Sequence, residues 1–259
     1  MKKSRLPFFI RLFFAALFFI AVCLAFAGFP DFVPAVKIQL FPSIDRKAWG
    51  IVAVLLIGTI LFGRFYCSVI CPFGILQDII AFISRRKSGI DANRFKLRYA
   101  VAGAAFASFF AGSAFFIGKL DPYSNFGRIA SFIKNPSYMV GGIILLAIII
   151  SAVWKKRIFC TSVCPVGTIL GLCAKISPIK LALSDKCVKC RKCVSVCPSG
   201  CIDPDNKALD NERCVRCLKC TAACPVSAIG FNKVKHLPQK TGEWRRCGPA
   251  GEDGPDTFR

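Results

Sequence analysis

The stretch Cys187-Val-Lys-Cys190-Arg-Lys-Cys193-Val-Ser-Val-Cys197-Pro198 is matched 27 residues on by Cys214-Val-Arg-Cys217-Leu-Lys-Cys220-Thr-Ala-Ala-Cys224-Pro225. Each copy reads C-x2-C-x2-C-x3-C-P. In the two-cluster arrangement with this spacing, the first three thiols of a run hold one [4Fe–4S] centre and the fourth reaches the other. One cluster is therefore expected on Cys187, Cys190, Cys193 and Cys224, and a second on Cys214, Cys217, Cys220 and Cys197. A closed zinc site takes four ligands and gives no reason for two matched runs of cysteine with a proline after each.

The chain ahead of these runs is apolar. Of 259 residues 54% are hydrophobic, and the mean hydropathy is +0.54. Four runs carry no charge: Leu12–Phe29, Ala48–Phe62, Tyr99–Ile117 and Met139–Trp154. A spanning helix needs ~20 mostly apolar residues, with ~17 a usual lower bound. The first and third runs are long enough. The second and fourth, at 15 and 16 residues, reach that length if Arg64 and Lys155 snorkel or the helices run on. Four transmembrane helices are expected.

The net charge of +22 would suit a nucleic-acid partner, but its placement does not. Basic residues gather at alternate ends of the apolar runs: Lys2, Lys3, Arg5 and Arg11, then Arg64, Arg85, Arg86, Lys87, Arg94, Lys96 and Arg98, then Lys155, Lys156 and Arg157. This is the positive-inside pattern. It puts the N-terminus, residues 63–98 and everything after 155 on the cytoplasmic side of a bacterial inner membrane. Ala25-Phe26-Ala27 resembles a signal-peptide cleavage site, but the apolar stretch before it is long for a cleaved leader. On the cytoplasmic side, clustered cysteines favour metal ligation over disulfides.

A second repeat lies in the apolar part. Arg64-Phe-Tyr-Cys67-Ser-Val-Ile-Cys71-Pro72-Phe-Gly74 aligns with Arg157-Ile-Phe-Cys160-Thr-Ser-Val-Cys164-Pro165-Val-Gly167 at an offset of 93 residues. The membrane part is read as two helical hairpins related by duplication. Each C-x3-C-P then lies at the cytoplasmic face, and packing about a pseudo-twofold axis would bring Cys67, Cys71, Cys160 and Cys164 together. A third iron–sulfur cluster is the preferred reading of these four. A redox dithiol in each half, a disulfide across the halves and plain packing are the alternatives. After the first motif, Leu76, Ile79, Ile80 and Ile83 form one apolar helical face, with Gln77, Asp78 and Ser84 elsewhere, as in an interfacial helix.

The fold class expected is an α-helical membrane protein of four transmembrane helices with a C-terminal α+β two-cluster ferredoxin domain. The domains are residues 1–184, 185–233 and a disordered tail, 234–259, which holds Cys247. Cys201 stands where the second run has Ala228, and it is read as a packing residue, like Cys23 and Cys173. The single histidine, His236, and the lack of C-x-x-C-H leave no route for haem ligation by a histidine pair. Residues 185–233 carry nine basic side chains against five acids, which suits an acidic partner, an anionic lipid surface or simple topology.

Four spans, paired C-x3-C-P motifs and a C-terminal double ferredoxin together resemble the NapH-type membrane ferredoxins. That family takes in MauN proteins and the C-terminal half of NosR. Cys67-x3-Cys71-Pro72-Phe73-Gly74, Cys160-x3-Cys164-Pro165-Val166-Gly167, the eight ferredoxin cysteines and Leu120-Asp121-Pro122-Tyr123-Ser124 carry the resemblance. It implies electron transfer between the membrane quinol pool and a redox partner protein, often periplasmic, in the manner of a quinol dehydrogenase subunit. No catalytic residue is assigned, because the chemistry would belong to the cofactors. Two other readings stay open: a maturation or regulatory protein that supplies electrons to another metalloenzyme, and a membrane anchor with structural clusters.

Overall fold

A computed structural model describes residues 6–29, 31, 49–84, 95–110 and 115–233. The N-terminal part is helical. Helix α1 (Leu6–Ala27) is apolar on almost every side and buries only Arg11, Ala15 and Val22. Helix α2 (Trp49–Phe62) leads through Gly63 to the first cysteine motif, wound as a short turn α3 (Tyr66–Val69) and a helix α4 (Pro72–Ile83). Then come α5 (Phe95–Phe110), α6 (Phe115–Leu120), α7 (Pro122–Lys134) and α8 (Met139–Lys155). The second cysteine motif is a π-helical turn, Phe159–Val163, followed by α9 (Pro165–Ile176). Helices α4, α7 and α9 all begin on proline, whose missing N–H costs nothing in a first turn. Asp121 caps α7 by accepting from the Ser124 N–H at 2.8 Å, which gives Asp121-Pro122 a structural role.

Of the four expected spans, α1 alone is long and apolar enough to cross a membrane among the described residues. Helices α7 and α8 meet that test together, but with a 116° bend between them. Helix α8, over the fourth expected span, has 17 residues. The second expected span begins at Ala48, outside the described residues, and its described part is the 14 residues of α2. Residues 111–114 of the third lie outside the description too, as does the expected tail, 234–259.

The two halves interlock. Helix α4 of the first half packs on α1 and on α8 of the second half, while α9 of the second half packs on α5 and on α2 of the first. Likewise α3 packs on α1, and the π-helical turn packs on α5. Each contact has a counterpart, so the duplication read from the cysteine motifs extends to the packing. In each motif the second cysteine's N–H bonds the carbonyl five residues back, Cys71 to Tyr66 at 3.0 Å and Cys164 to Phe159 at 2.9 Å.

The C-terminal part has two small antiparallel sheets. Strand β1 (Ile179–Leu183) pairs with β4 (Ile229–Lys233), register Ile179↔Lys233 to Leu183↔Ile229. Strand β2 (Ile202–Asp203) pairs with β3 (Ala208–Leu209). Short helices α10 (Lys192–Val196) and α11 (Lys219–Ala223) lie between. The sheet formed by β1 and β4 crosses the boundary expected at 184, since β1 precedes it. The two cysteine runs are wound alike, with left-handed backbone at Lys189 and Arg191 in one and at Arg216 and Leu218 in the other. Such a conformation costs an L-residue roughly 1–2 kcal/mol and persists where the surroundings fix it.

Candidate iron–sulfur sites

Left-handed turns on either side of Cys190 and Cys217 fold each run back on itself, so its thiols face one space. Cys187, Cys190, Cys193 and Cys224 line one cavity, walled by Leu183, Val188, Val226 and Ile229 among others. Cys197, Cys214, Cys217 and Cys220 line a second, together with Cys201, Leu181, Ile202 and Val215. The fourth cysteine of each run thus stands with the first three of the other. Among the described residues no three His, Cys, Asp or Glu side chains converge on a point, as a single metal ion would need. The thiols ring a space instead, without carboxylate or imidazole, and such a soft donor set fits an iron–sulfur cluster. A backbone donor already serves one ring, Ala228 N–H to Cys224 Sγ at 3.2 Å. The cavities differ in exposure. Cys190 is exposed among exposed Lys186, Lys189, Arg191 and Lys192, whereas Cys197, Cys214, Cys217 and Cys220 are all buried.

The C-x3-C-P cysteines meet between the halves. Cys67, Cys71, Cys160 and Cys164 are each 4–5% exposed, and none is in a disulfide. Cys71 and Cys164 sit at the N-termini of α4 and α9, and Gly167 N–H donates to Cys164 Sγ at 3.3 Å. Burial pushes Cys160 up to about 11, against the pull of Arg157 and Arg64. Burial also raises Cys71 and Cys164, and the neighbouring sulfurs raise them further. Buried thiolates at Cys71, Cys160 and Cys164 are costly to hold together without added positive charge. Iron would supply that charge, so the donor set fits a cluster here as well.

Two arginines bind the halves across this site. Arg64 Nη2 donates to the Cys160 carbonyl at 3.0 Å, and Arg157 Nη1 donates to the Cys67 carbonyl at 2.9 Å. Both side chains are fully buried. Arg64 was expected to snorkel toward water. It turns inward because the carbonyls of the opposite half and of Glu212 receive it. The motif glycines make the room. A Cβ on Gly74 would fall 2.5 Å from the Cys67 oxygen, and one on Gly167 would fall 2.6 Å from the Cys160 oxygen.

The counter-ions are unequal. In the first half Asp78 takes two bonds from Arg157, at 2.9 and 2.8 Å, and pairs with Arg11 at 3.3 Å. Burial alone would raise the Asp78 carboxyl, but Arg157, Lys219 and Arg11 hold it well below the usual carboxylate range. The residue 93 positions on is Gly171, where Arg98 and the Glu212 carbonyl fill the space a side chain would take. Arg98 finds its carboxylate on Glu212, at 3.2 Å, from the C-terminal part. Gln77, fully buried, donates to Cys160 Sγ at 3.4 Å. The outward face of α4 is apolar, with Ile79, Phe82 and Ile83 exposed and Gln77 and Asp78 inside. The sequence marks Arg11 and Arg98 as topology charges and Asp78 as the polar side of an interfacial helix, and it gives no sign of Glu212. The one signal for this network was the arginine kept in each copy of the motif.

The C-terminal part is seated on this site. Lys219 reaches Asp78 at 3.6 Å, Arg157 N–H bonds the Pro198 carbonyl at 3.3 Å, and Lys156 Nζ bonds the Ser195 carbonyl at 3.2 Å. Cys217 belongs to the same buried core as Cys67, Cys71 and Cys164.

Comparison with known proteins agrees with this layout. A family model described as a 4Fe-4S binding domain matches twice, at residues 49–91 and 138–184, one match for each half. A 4Fe-4S dicluster domain matches residues 186–228. The methylamine utilization ferredoxin-type protein MauN of Paracoccus denitrificans is 28% identical over 183 residues, covering 67% of this chain and 58% of that protein. The ferredoxin-type protein NapH of Haemophilus influenzae is 24% identical over 154 residues, 58% of this chain and 52% of that one. Protein NirI of Paracoccus denitrificans is 26% identical over 177 residues, 63% of this chain and 25% of that one. The chain spans about half the length of the MauN and NapH relatives it matches. No solved structure matches it significantly. With one 4Fe-4S binding match on each half and a dicluster match on the paired cysteine runs, the chain carries iron–sulfur family domains and is similar to the NapH and MauN ferredoxin-type proteins.

Proposed function

We propose that this chain is a membrane-bound electron-transfer protein that exchanges electrons between the quinol pool and a redox partner. The observation that carries the reading is the burial of Cys217 in one core with Cys67, Cys71 and Cys164. It supports a path from the four thiols between the halves to the buried ferredoxin ring beside them, and from there to the ring at Cys190 that faces solvent. When bound, [4Fe–4S] clusters would supply one-electron storage at these rings. Cys187, Cys190, Cys193 and Cys224 are assigned to one cluster, and Cys214, Cys217, Cys220 and Cys197 to the other. Cys67, Cys71, Cys160 and Cys164 are assigned to a third. The apolar walls of the buried ring, Leu181, Ile202 and Val215 among them, keep water from its sulfurs. Exposed Lys186, Lys189, Arg191 and Lys192 around Cys190 suit an acidic partner surface.

The membrane assignment rests on an inside-out pattern. Arg64, Arg157 and Gln77 are buried, while Phe13, Leu17, Val54, Ile57, Ile143, Leu146 and Trp154 are exposed. Polar groups inside and large apolar side chains outside are what a lipid surround selects. With the positive-inside charges, this supports the reading of four spans in a bacterial inner membrane with the ferredoxin domain in the cytoplasm.

The test is iron analysis and EPR of the purified full-length protein before and after addition of menaquinol or ubiquinol. Three clusters require ~12 iron atoms per chain, against ~8 for the ferredoxin rings alone. A quinol that reduces the clusters supports the proposal; spectra unchanged by either quinol refute it. A deletion strain with normal respiratory flux but an immature partner enzyme would favour the maturation reading instead.

A further inference from the structure

Cys201 belongs to neither ligand set, and the sequence reads it as a packing residue. The structure buries it in the core, as packing requires, and also sets it against the ligand sulfurs. It is 1% exposed, lines the buried ferredoxin cavity and holds its Sγ 3.6 Å from that of Cys197. Cys214 is its second sulfur neighbour. The matched ring provides a comparison within the molecule. At the equivalent position Ala228 gives Cys224 a backbone N–H, and the Cys201 backbone N–H does the same for Cys197. The two rings therefore agree in this backbone donor and differ by one thiol. A sulfur that binds iron does so as a thiolate, without its proton. Once Cys197 and Cys214 are ligands, Cys201 is the sole S–H donor left between them.

We propose that Cys201 is a protonated fifth thiol of the buried ring, donating a hydrogen bond to the sulfur of Cys197 or Cys214 and raising the reduction potential of the cluster they hold. The proposal rests on the ligand assignment above. Hydrogen bonds to ligand sulfurs offset the negative charge that grows on reduction, so the reduced form gains more from them. The buried ring would then hold an electron more readily than the same ring without Cys201.

The test is a mediated redox titration followed by EPR on the full-length protein in detergent, with iron and sulfide analysis of every sample. Cys201→Ala is expected to keep its iron and to lower the buried cluster's midpoint, shifting the reduction equilibrium about tenfold, ~59 mV for one electron. Cys201→Ser retains a donor and should stay near wild type. Ala228→Cys should raise the potential of the other cluster. Midpoints unmoved in Cys201→Ala overturn the proposal. Loss of cluster iron in Cys201→Ala overturns it too, because the thiol would then be a ligand. Wild-type protein without the iron of two ferredoxin clusters would overturn the ligand assignment itself, before any potential is measured.

Discussion

The two halves of the helical part are built on one plan and balanced in two ways. Each has an arginine, two cysteines, a proline and a glycine at the same offsets, and each arginine reaches a carbonyl of the other half. Arg157 is met within the helical part, by the carboxylate of Asp78 on α4 of the first half. The position matching Asp78 is Gly171; Arg64 bonds the backbone carbonyl of Glu212 in the ferredoxin domain, and the Glu212 carboxylate pairs with Arg98 on α5. The difference shows how a duplicated scaffold gains a docking site. Deleting one side chain leaves a cation unsatisfied, and whatever domain supplies the missing acceptor is held in place.

The sharpest way to break this comparison is Asp78→Asn. It leaves Arg157, which is fully buried, without a counter-charge, and is expected to cost ~3–5 kcal/mol, read as a fall in thermal stability in detergent. The loss should depend on pH with a definite sign. The folded carboxyl is depressed, so its contribution is complete above the unfolded value of ~3.9, declines steadily below it and is lost only once pH passes the much lower folded value. The gap between wild type and Asp78→Asn should therefore be constant above pH ~5 and narrow progressively below pH ~4. A gap independent of pH would show that the charge is not what matters.

Gly74→Ala and Gly167→Ala test the part of the plan that is shared. Each new methyl meets a cysteine carbonyl, at 2.5 and 2.6 Å, so each should cost ~1–3 kcal/mol and disturb the four-thiol site alike. One variant harmless and the other severe would mean that the halves are not equivalent around the cysteines. Glu212→Gln probes the part that differs. Arg98 keeps its weaker bonds to Thr168, so a loss of ~1–2 kcal/mol is expected. Faster proteolytic release of the ferredoxin domain, with the α4 network intact, would report it. Lys219→Ala should have the smallest effect, ~0–1 kcal/mol, since its ion pair is long and its side chain is 27% exposed. A larger loss there would make Asp78 a docking residue equal to Glu212.

Much of this was legible in the cysteines alone. Spacing within the runs gave the crossed rings, because ligand order along the chain is fixed by the shape of the object to be held. The offset of 93 residues gave the pairing of Cys67 and Cys71 with Cys160 and Cys164. The arginines were visible but misread. At the end of an apolar run an arginine serves as a topology signal as readily as a buried strut, and Arg64 looks the same in either role until the carbonyls that accept from it are known. Asp78 and Gln77 share α4 with Ile79 and Ile83, and periodicity marks the two faces without saying which is inside. Here the polar face is the buried one. The pairing of Ile179–Leu183 with Ile229–Lys233 across the expected boundary was not legible, because the partner is 50 residues away, beyond any local pattern. Cys201 is buried as its counterpart Ala228 suggested, but its sulfur neighbours were not legible, because alignment shows equivalence of position, not of neighbours.

The crossed arginines also govern the order in which the protein can be finished on the ribosome. Arg64 is made early, yet its acceptors are the carbonyls of Cys160 and Glu212. Asp78 likewise waits for Arg157. Neither half can close over its own cysteines, and the pocket between them takes its final form after residue 212 has emerged. The ferredoxin domain is thus the latch on the four-thiol site, and a chain cut before residue 212 would leave that site open.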